Sequence, residues 1–344
     1  MNPRHHRIYA AGIALLVCMP FLTGCAAGSA PQQEPAVTEA PAAETAAPET
    51  SVPESSAESP AQTAPAQIES TDPFRYEAGT PEVSGLREDL KNVNFYRDGV
   101  KIFGQLYLPE GEGPFPTVVL CSGQTAEHTY YADEAETFAA NGYAALIFDF
   151  IGSGRVASGG KMTDRSVLTE AADINVILDS LSALPKVDTG RVFLWGHSLG
   201  GLAATYAGCR RPDDIQGMML VEPSYRYPDE MREAVAQEVN GDLSQVPDTV
   251  QLEAMRTIVG KLFVTDMYSL DIYDYMPDCD KDVLIFLGTS DDCLGTRYHD
   301  YYERAQQTFP SAEIAEIEGA DHLFQGAAGE QMAAQCLTFL QSHT

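Results

Sequence analysis

The sequence predicts an α/β domain, a mostly parallel sheet with helices on both faces, and three observations carry that reading. Apolar runs that do not alternate with polar residues recur at 115–121, 143–150, 192–195, 216–221 and 282–287, as strands covered on both sides require. Helical stretches separate them, the longest over 163–184, where Leu168, Ala171, Ala172, Ile174, Val176, Ile177 and Leu181 share one broad apolar face. Strand and helix follow each other in succession, which implies parallel pairing through helical crossovers.

The best-defined element is RVFLWGHSLGGL at 191–202, an apolar strand that ends in a glycine-flanked serine and runs directly into a small-residue helix. Gly196 and Gly200 lack a Cβ, which leaves Ser198 room for a strained backbone conformation between strand and helix. Its hydroxyl is then held above the sheet, where the unpaired N–H groups of the helix favour negative charge. Ser198 is the candidate nucleophile and Leu199 N–H a candidate oxyanion donor.

The first 75 residues lie outside this pattern. Arg4 and Arg7 precede an apolar stretch over 8–21, which has the form of a secretory signal and is short for a membrane span. It ends in Leu22, Thr23, Gly24 and Cys25, which resembles the bacterial lipobox. Residues 1–24 are therefore expected to be a lipoprotein signal, Cys25 the lipidated mature N-terminus, and the protein an extracytoplasmic one tethered to a membrane. Residues 25–75 are rich in Pro, Ala, Glu, Thr and Ser and cannot bury a core, so they read as a disordered spacer reaching at least about 40 Å. The domain occupies 76–344.

The formal net charge of −29 falls mostly on that domain, since the spacer supplies Glu34, Glu39, Glu44, Glu49, Glu54, Glu58, Glu69 and Asp72 against Arg75. Such a field argues against nucleic acid and anionic polymers as partners. Cys121, Cys209, Cys279, Cys293 and Cys336 match no zinc spacing and read as small core fillers, so no metal is expected.

Along the domain, 92–96 and 100–107 joined by RDG predict an antiparallel hairpin. The strand at 115–121 delivers a loop whose Gln124 N–H is the candidate second oxyanion donor. A helix is expected over 132–141, stopped by Gly142. IGSGRVASGG at 151–160 is glycine-rich without the dinucleotide fingerprint. After 221 the rhythm breaks, and 223–281 reads as a cap with helices at 229–239 and 249–264. Within it Tyr268, Tyr273 and Tyr275 either line an aromatic substrate pocket or seal the cap to the sheet. The strand at 282–287 delivers Asp291, a helix covers 298–309, the last strand at 312–318 delivers His322, and a helix closes the chain over 329–341.

A serine, an acid and a histidine thus each follow the C-terminal end of a strand, the edge at which open α/β sheets bind ligands. A serine hydroxyl needs an adjacent base, here His322, and the imidazole needs a carboxylate to fix its tautomer, here Asp291. Asp292, Asp321 and Glu222 are the competing carboxylates. His197 reads as packing or oxyanion-loop support and His128 as exposed loop.

With these residues in place, the chain from about Val93 onward resembles the α/β-hydrolase superfamily. Within it the nearest group holds serine aminopeptidase-like hydrolases and bacterial cinnamoyl or feruloyl esterases. FDFIGSG, KMTDRSVLTEAADINVILDSL, GHSLGG, YSLDIYDYMPDCDKDVLIFLGTSDD and GADHLF carry the likeness. It implies an eight-stranded sheet with the cap after the sixth strand, and Ser198, Asp291 and His322 as nucleophile, acid and base. It also implies cofactor-free hydrolysis of small-molecule carboxylic esters, often of aromatic acids. The chain departs from the family in Ser122-Gly123, where His-Gly is common, and in extra residues after Asp149. A peptidase or acyl-peptide hydrolase would use the same residues, and a catalytically silent surface binding protein is the alternative from another class. Oligomeric state is not encoded in any of these patterns.

Overall fold

The computed structural model describes residues 70–153, 157–252, 257–291, 293–294 and 298–344. The expected signal, Cys25 and most of the spacer lie outside the described residues. The chain enters the sheet through β1 (Glu82–Gly85), β2 (Leu90–Arg97) and β3 (Val100–Tyr107), then β4 (Phe115–Cys121), α1 (Ala132–Ala140) and β5 (Ala144–Phe148). It continues through α2 (Val167–Ser180), β6 (Val187–His197), α3 (Leu199–Arg210) and β7 (Gly217–Val221). The cap follows as α4 (Tyr227–Val239), β8 (Thr249–Leu252), β9 (Thr257–Gly260) and α5 (Lys261–Ser269). Then come β10 (Asp282–Gly288), α6 (His299–Thr308), β11 (Ala312–Ile317) and α7 (Ala327–Ser342).

The main sheet runs β1-β2-β3-β5-β4-β6-β7-β10-β11. β1 pairs antiparallel with β2, β2 with β3 and β3 with β5, while every pair from β5 to β11 is parallel. The expected α/β class with a mostly parallel sheet therefore holds. The sheet has nine strands rather than eight among the described residues, because β1 adds an edge. All four residues of β1, EVSG, are exposed, so no apolar pattern announced it.

Both faces of the sheet are buried, and the alternation of side chains along β6 shows how. Phe193 and Trp195 join the cluster containing Phe138 of α1 and Met332, Cys336 and Leu340 of α7. Val192 and Leu194 join the larger cluster with α2, α3 and the cap. A strand walled on both sides has no polar face to show, which is why its sequence is a continuous apolar run. α2 is shorter than the 163–184 expectation: Ser166 caps it through a box with Thr169, and the final turn is a 3-10 turn at Leu181–Ala183. All five cysteines of the domain are buried thiols.

The expectation of a helix over 249–264 is corrected. Thr249 pairs with Gly260 and Leu252 with Thr257 in a small antiparallel hairpin, and helix α5 begins only at Lys261. Thr249, Val250, Thr257, Ile258 and Val259 are β-branched and lose rotamer freedom in a helix, whereas a pleated pair accommodates them.

α3 lies in close backbone contact with the ends of β4 and β6. A Cβ on Gly196 would lie 2.8 Å from the Gly200 carbonyl oxygen and from Gly201 Cα, and one on Gly200 would collide with the carbonyls of Cys121 and Ser122. Gly200→Ala is expected to lower unfolding free energy by about 1–3 kcal/mol, the range for overpacking a filled interior, as read from urea denaturation.

Candidate active site

The turn after β6 has the strain the sequence anticipates. Ser198 sits at φ 55°, ψ −122°, a conformation rare for a residue with a Cβ, and caps α3. Its backbone is fixed on both sides: its N–H donates to Val221 O at 2.9 Å, and its carbonyl accepts from Ser224 N at 3.0 Å. Leu199 opens the helix, so its N–H has no carbonyl one turn earlier to bond.

Asp291 and His322, 31 residues apart, are joined by a bond from His322 Nδ1 to Asp291 Oδ2 at 2.8 Å, with both side chains buried. The other carboxylate oxygen accepts from Cys293 N at 2.7 Å and Leu294 N at 2.8 Å. Burial opposes ionisation of Asp291, but the bond and charge of His322 and these two N–H groups outweigh it and hold the carboxyl below its ordinary range. The competitors stand elsewhere: Asp321 accepts from Leu323 N at 3.1 Å, Glu222 accepts from Gly288 N at 2.5 Å and from the Tyr302 hydroxyl at 2.7 Å, and Asp292 lies outside the described residues.

Ser198 and His322 line the same cavity. Among the described residues, the Ser198 hydroxyl is bonded to Ser224 Oγ at 3.4 Å and not to His322. A serine hydroxyl turns about a single side-chain bond, and hydroxyl–imidazole contacts are commonly loose before substrate enters.

His197 is buried between two partners, with Tyr131 Oη 2.8 Å from Nδ1 and the His322 carbonyl oxygen 2.8 Å from Nε2. Burial, with the neighbouring His322, pulls its pKa down to about 3, so the ring is neutral and structural. Because Tyr131 also accepts from Gly123 N at 3.2 Å, this phenol ties the oxyanion loop to the nucleophile turn. Gln124 follows in that loop and lines the cavity, and its carbonyl accepts from Arg165 Nη1 at 2.5 Å. Arg165 is itself buried and paired with Glu170 at 2.5 Å. The carbonyl being pinned on the Arg165 side, the orientation of the peptide units around Gln124 is restricted. His128, expected as exposed loop, is instead buried and bonded to Asp149 at 2.9 Å, since the loop folds back against the end of β5.

The cavity over Ser198 has a volume of about 690 Å³, within the range of small-molecule sites. Its walls come from the Gly123–Thr137 segment and from residues Leu323 to Met332, on the α1 and α7 side of the sheet edge. Tyr130 and Leu323 stand at it largely exposed, at 67% and 51%. Among the described residues that line it, Asp133, Glu134 and Glu330 are the acidic groups, and none is a lysine or arginine.

Tyr268, Tyr273 and Tyr275 are not among those walls, so the aromatic-pocket expectation is corrected. Tyr273 donates to Tyr301 O at 2.8 Å and carries Arg304 over its ring, Tyr275 packs on Tyr206, and Tyr268 is half-buried against the larger core. They seal the cap, the other role the sequence allowed. Tyr131, Arg165 and Ser224 escaped the sequence reading; a lone arginine beside a buried helix carrying Glu170 was the one local signal.

Residues 112–322 match the family described as serine aminopeptidase, S33 (Hydrolase_4). Among curated relatives, the esterase FrsA of Escherichia coli O157:H7 is 37% identical over 107 residues, which is 31% of this chain and 25% of that protein. The chain therefore spans about a quarter of the length of this relative. Among solved structures, Est1E from Butyrivibrio proteoclasticus has a TM-score of 0.63 at 20% identity, covering 73% of this chain and 98% of that one. A monoacylglycerol lipase from Paleococcus ferrophilus has a TM-score of 0.53 at 21% identity, covering 71% and 99%. These likenesses establish the α/β-hydrolase fold. Because the matched segment covers more than half of the chain and runs from β4 through the Ser198 turn to His322, the protein belongs to the serine aminopeptidase, S33 family.

Proposed function

We propose that the protein is a serine hydrolase of small carboxylic esters working through Ser198, His322 and Asp291. The single observation that carries this is a cavity-lining serine at positive φ that shares its cavity with an imidazole held by a buried carboxylate at 2.8 Å. In this reading His322 takes the proton of Ser198 as Oγ attacks the ester carbonyl. The N–H groups of Leu199 and Gln124 hold the oxyanion, and Asp291 stabilises the imidazolium. The imidazolium then protonates the leaving alcohol as the acyl-enzyme forms. Water, deprotonated by His322, attacks the acyl-enzyme; the acid is released and Ser198 regains its proton.

The cavity supports a neutral substrate with an apolar part. Tyr130, Leu323, Phe324 and Met332 offer apolar surface, whereas Asp133, Glu134 and Glu330 repel anions. The esterase name of the curated relative, and a solved structure of Est1E with ferulic acid bound, agree with this direction. A second reading, an aminopeptidase, is favoured by the same three carboxylates, which would receive the ammonium of an N-terminal residue, and by the family description. The lipoprotein reading of Cys25 adds a membrane tether outside the cytoplasm; among the described residues no helix is long and apolar enough to cross a membrane.

A fluorophosphonate probe is expected to label the folded protein and to fail on Ser198→Ala; a folded wild type that resists labelling would favour a binding role. Asp291→Asn is expected to lower kcat by about 10⁴, from steady-state kinetics on an aryl ester. Neutral aryl esters are expected to give kcat/KM at least about tenfold above both their carboxylate-bearing analogues and aminoacyl arylamides; the reverse order for the amides would establish the peptidase. For the anchor, palmitate labelling of the expressed chain is expected to disappear in Cys25→Ala, with release of the protein from membranes.

A further inference from the structure

Glu222, the first residue beyond β7, is 1% exposed and has no role in the mechanism above. Three groups face it, each from a different element. Gly288 N, at the end of β10, donates to Oε1 at 2.5 Å. The Tyr302 hydroxyl, on α6, donates to Oε2 at 2.7 Å. From the loop beyond β10, Asp291 closes the same turn, its N–H donating to Gly288 O at 3.3 Å, and its charge acts on the Glu222 carboxyl. His322 is bonded to Asp291, and Tyr298 beside Tyr302 points its hydroxyl to Glu230 of α4 at 3.2 Å. Among the described residues no lysine or arginine is bonded to Glu222. Its backbone is at φ 44°, so the chain adopts an unfavourable conformation at the point where this carboxyl turns under the site.

Two carboxyl groups bond to each other only if one keeps its proton, and two in one buried site do not both ionise readily. Asp291 already accepts from His322, Cys293 and Leu294, a set of donors that favours its charged form. We infer that Glu222 is a positioning residue, a neutral carboxyl that donates its proton to a hydrogen bond with Asp291 and holds that carboxylate against His322. The inference deepens the proposed function and rests on that assignment of Asp291 and His322. Burial, then the charge of Asp291, pushes the pKa of Glu222 up to about 8, against the pull of the Gly288 N–H and the Tyr302 hydroxyl. Above that pH the donated bond becomes a repulsion between two carboxylates, and the support of the imidazole weakens.

The test is the pH profile of kcat/KM between pH 6 and 10 on the full chain, with an aryl ester and a buffer blank, for wild type, Glu222→Gln and Tyr302→Phe. Wild type is expected to lose activity with one proton, with its midpoint near pH 8. Glu222→Gln, whose amide donates at every pH, is expected to lack that fall, keeping about tenfold more of its own pH 7 rate at pH 9.5 than wild type keeps. Tyr302→Phe removes a donor that favours the ionised form, so its midpoint moves upward. A readout free of catalysis accompanies this. Glu222 has a higher pKa folded than unfolded, so its contribution to stability is full below about pH 4.3 and is lost as pH rises through about 8. The Tm of Glu222→Gln relative to wild type is therefore expected to rise between pH 5 and 8. An alkaline fall shared by wild type and Glu222→Gln, or a Tm difference that does not change with pH, overturns the inference. If Glu222→Gln does not fold, an unmoved midpoint in Tyr302→Phe overturns it. Ester hydrolysis that survives in Ser198→Ala would instead defeat the underlying assignment, and the Tm comparison still reports on Glu222.

Discussion

The site depends on backbone meeting backbone where α3 crosses the ends of β4 and β6. At Gly196, Gly200 and Gly201 no side chain separates the helix from the strands, and a single methyl group would meet carbonyl oxygens or main-chain carbon. That contact forces the turn to be tight, puts Ser198 at positive φ, and leaves the first N–H groups of α3 unbonded beside the hydroxyl. Strain at one residue is affordable because the neighbouring backbone is over-determined by bonds to Val221 and Ser224.

Around this turn the buried polar groups are arranged in two supporting chains. Under the imidazole, Tyr302 on α6 is bonded to Glu222, and Asp291, whose charge acts on Glu222, is bonded to His322. Under the oxyanion loop, Glu170 and Arg165 lead to the carbonyl of Gln124, and Tyr131 links Gly123 to His197. In a low-dielectric interior such groups are costly singly and rigid together, so fixed geometry at the reacting centre is inherited from residues that never touch substrate. The acidic cavity wall and the overall charge act at longer range and select by sign.

The cap divides labour differently from what its tyrosine-rich sequence suggests. Tyr273, Tyr275 and Tyr225 pack among aromatic and arginine neighbours and weld the cap to α3 and α6. The open volume lies on the opposite flank, between the α1 and α7 segments. Composition reports that aromatic surface is present, but not which side of the sheet edge remains unfilled after packing.

Much of the fold was legible because strands buried on both faces leave continuous apolar runs, as at Val192 to Trp195, and because helices leave a stripe at their own period. The Ser198 turn was legible for the same reason, since its glycines and serine act within five residues. The order of acid and base along the chain marked Asp291 and His322, but only the packed structure joined them, by placing β10 and β11 side by side. The β8–β9 hairpin, the burial of His128 and the contact of Glu222 with Asp291 were decided there too. Periodicity and turn chemistry are local and are written in adjacent residues. Which side chains share a buried site depends on how distant elements dock, a property of the whole chain that no stretch of sequence contains.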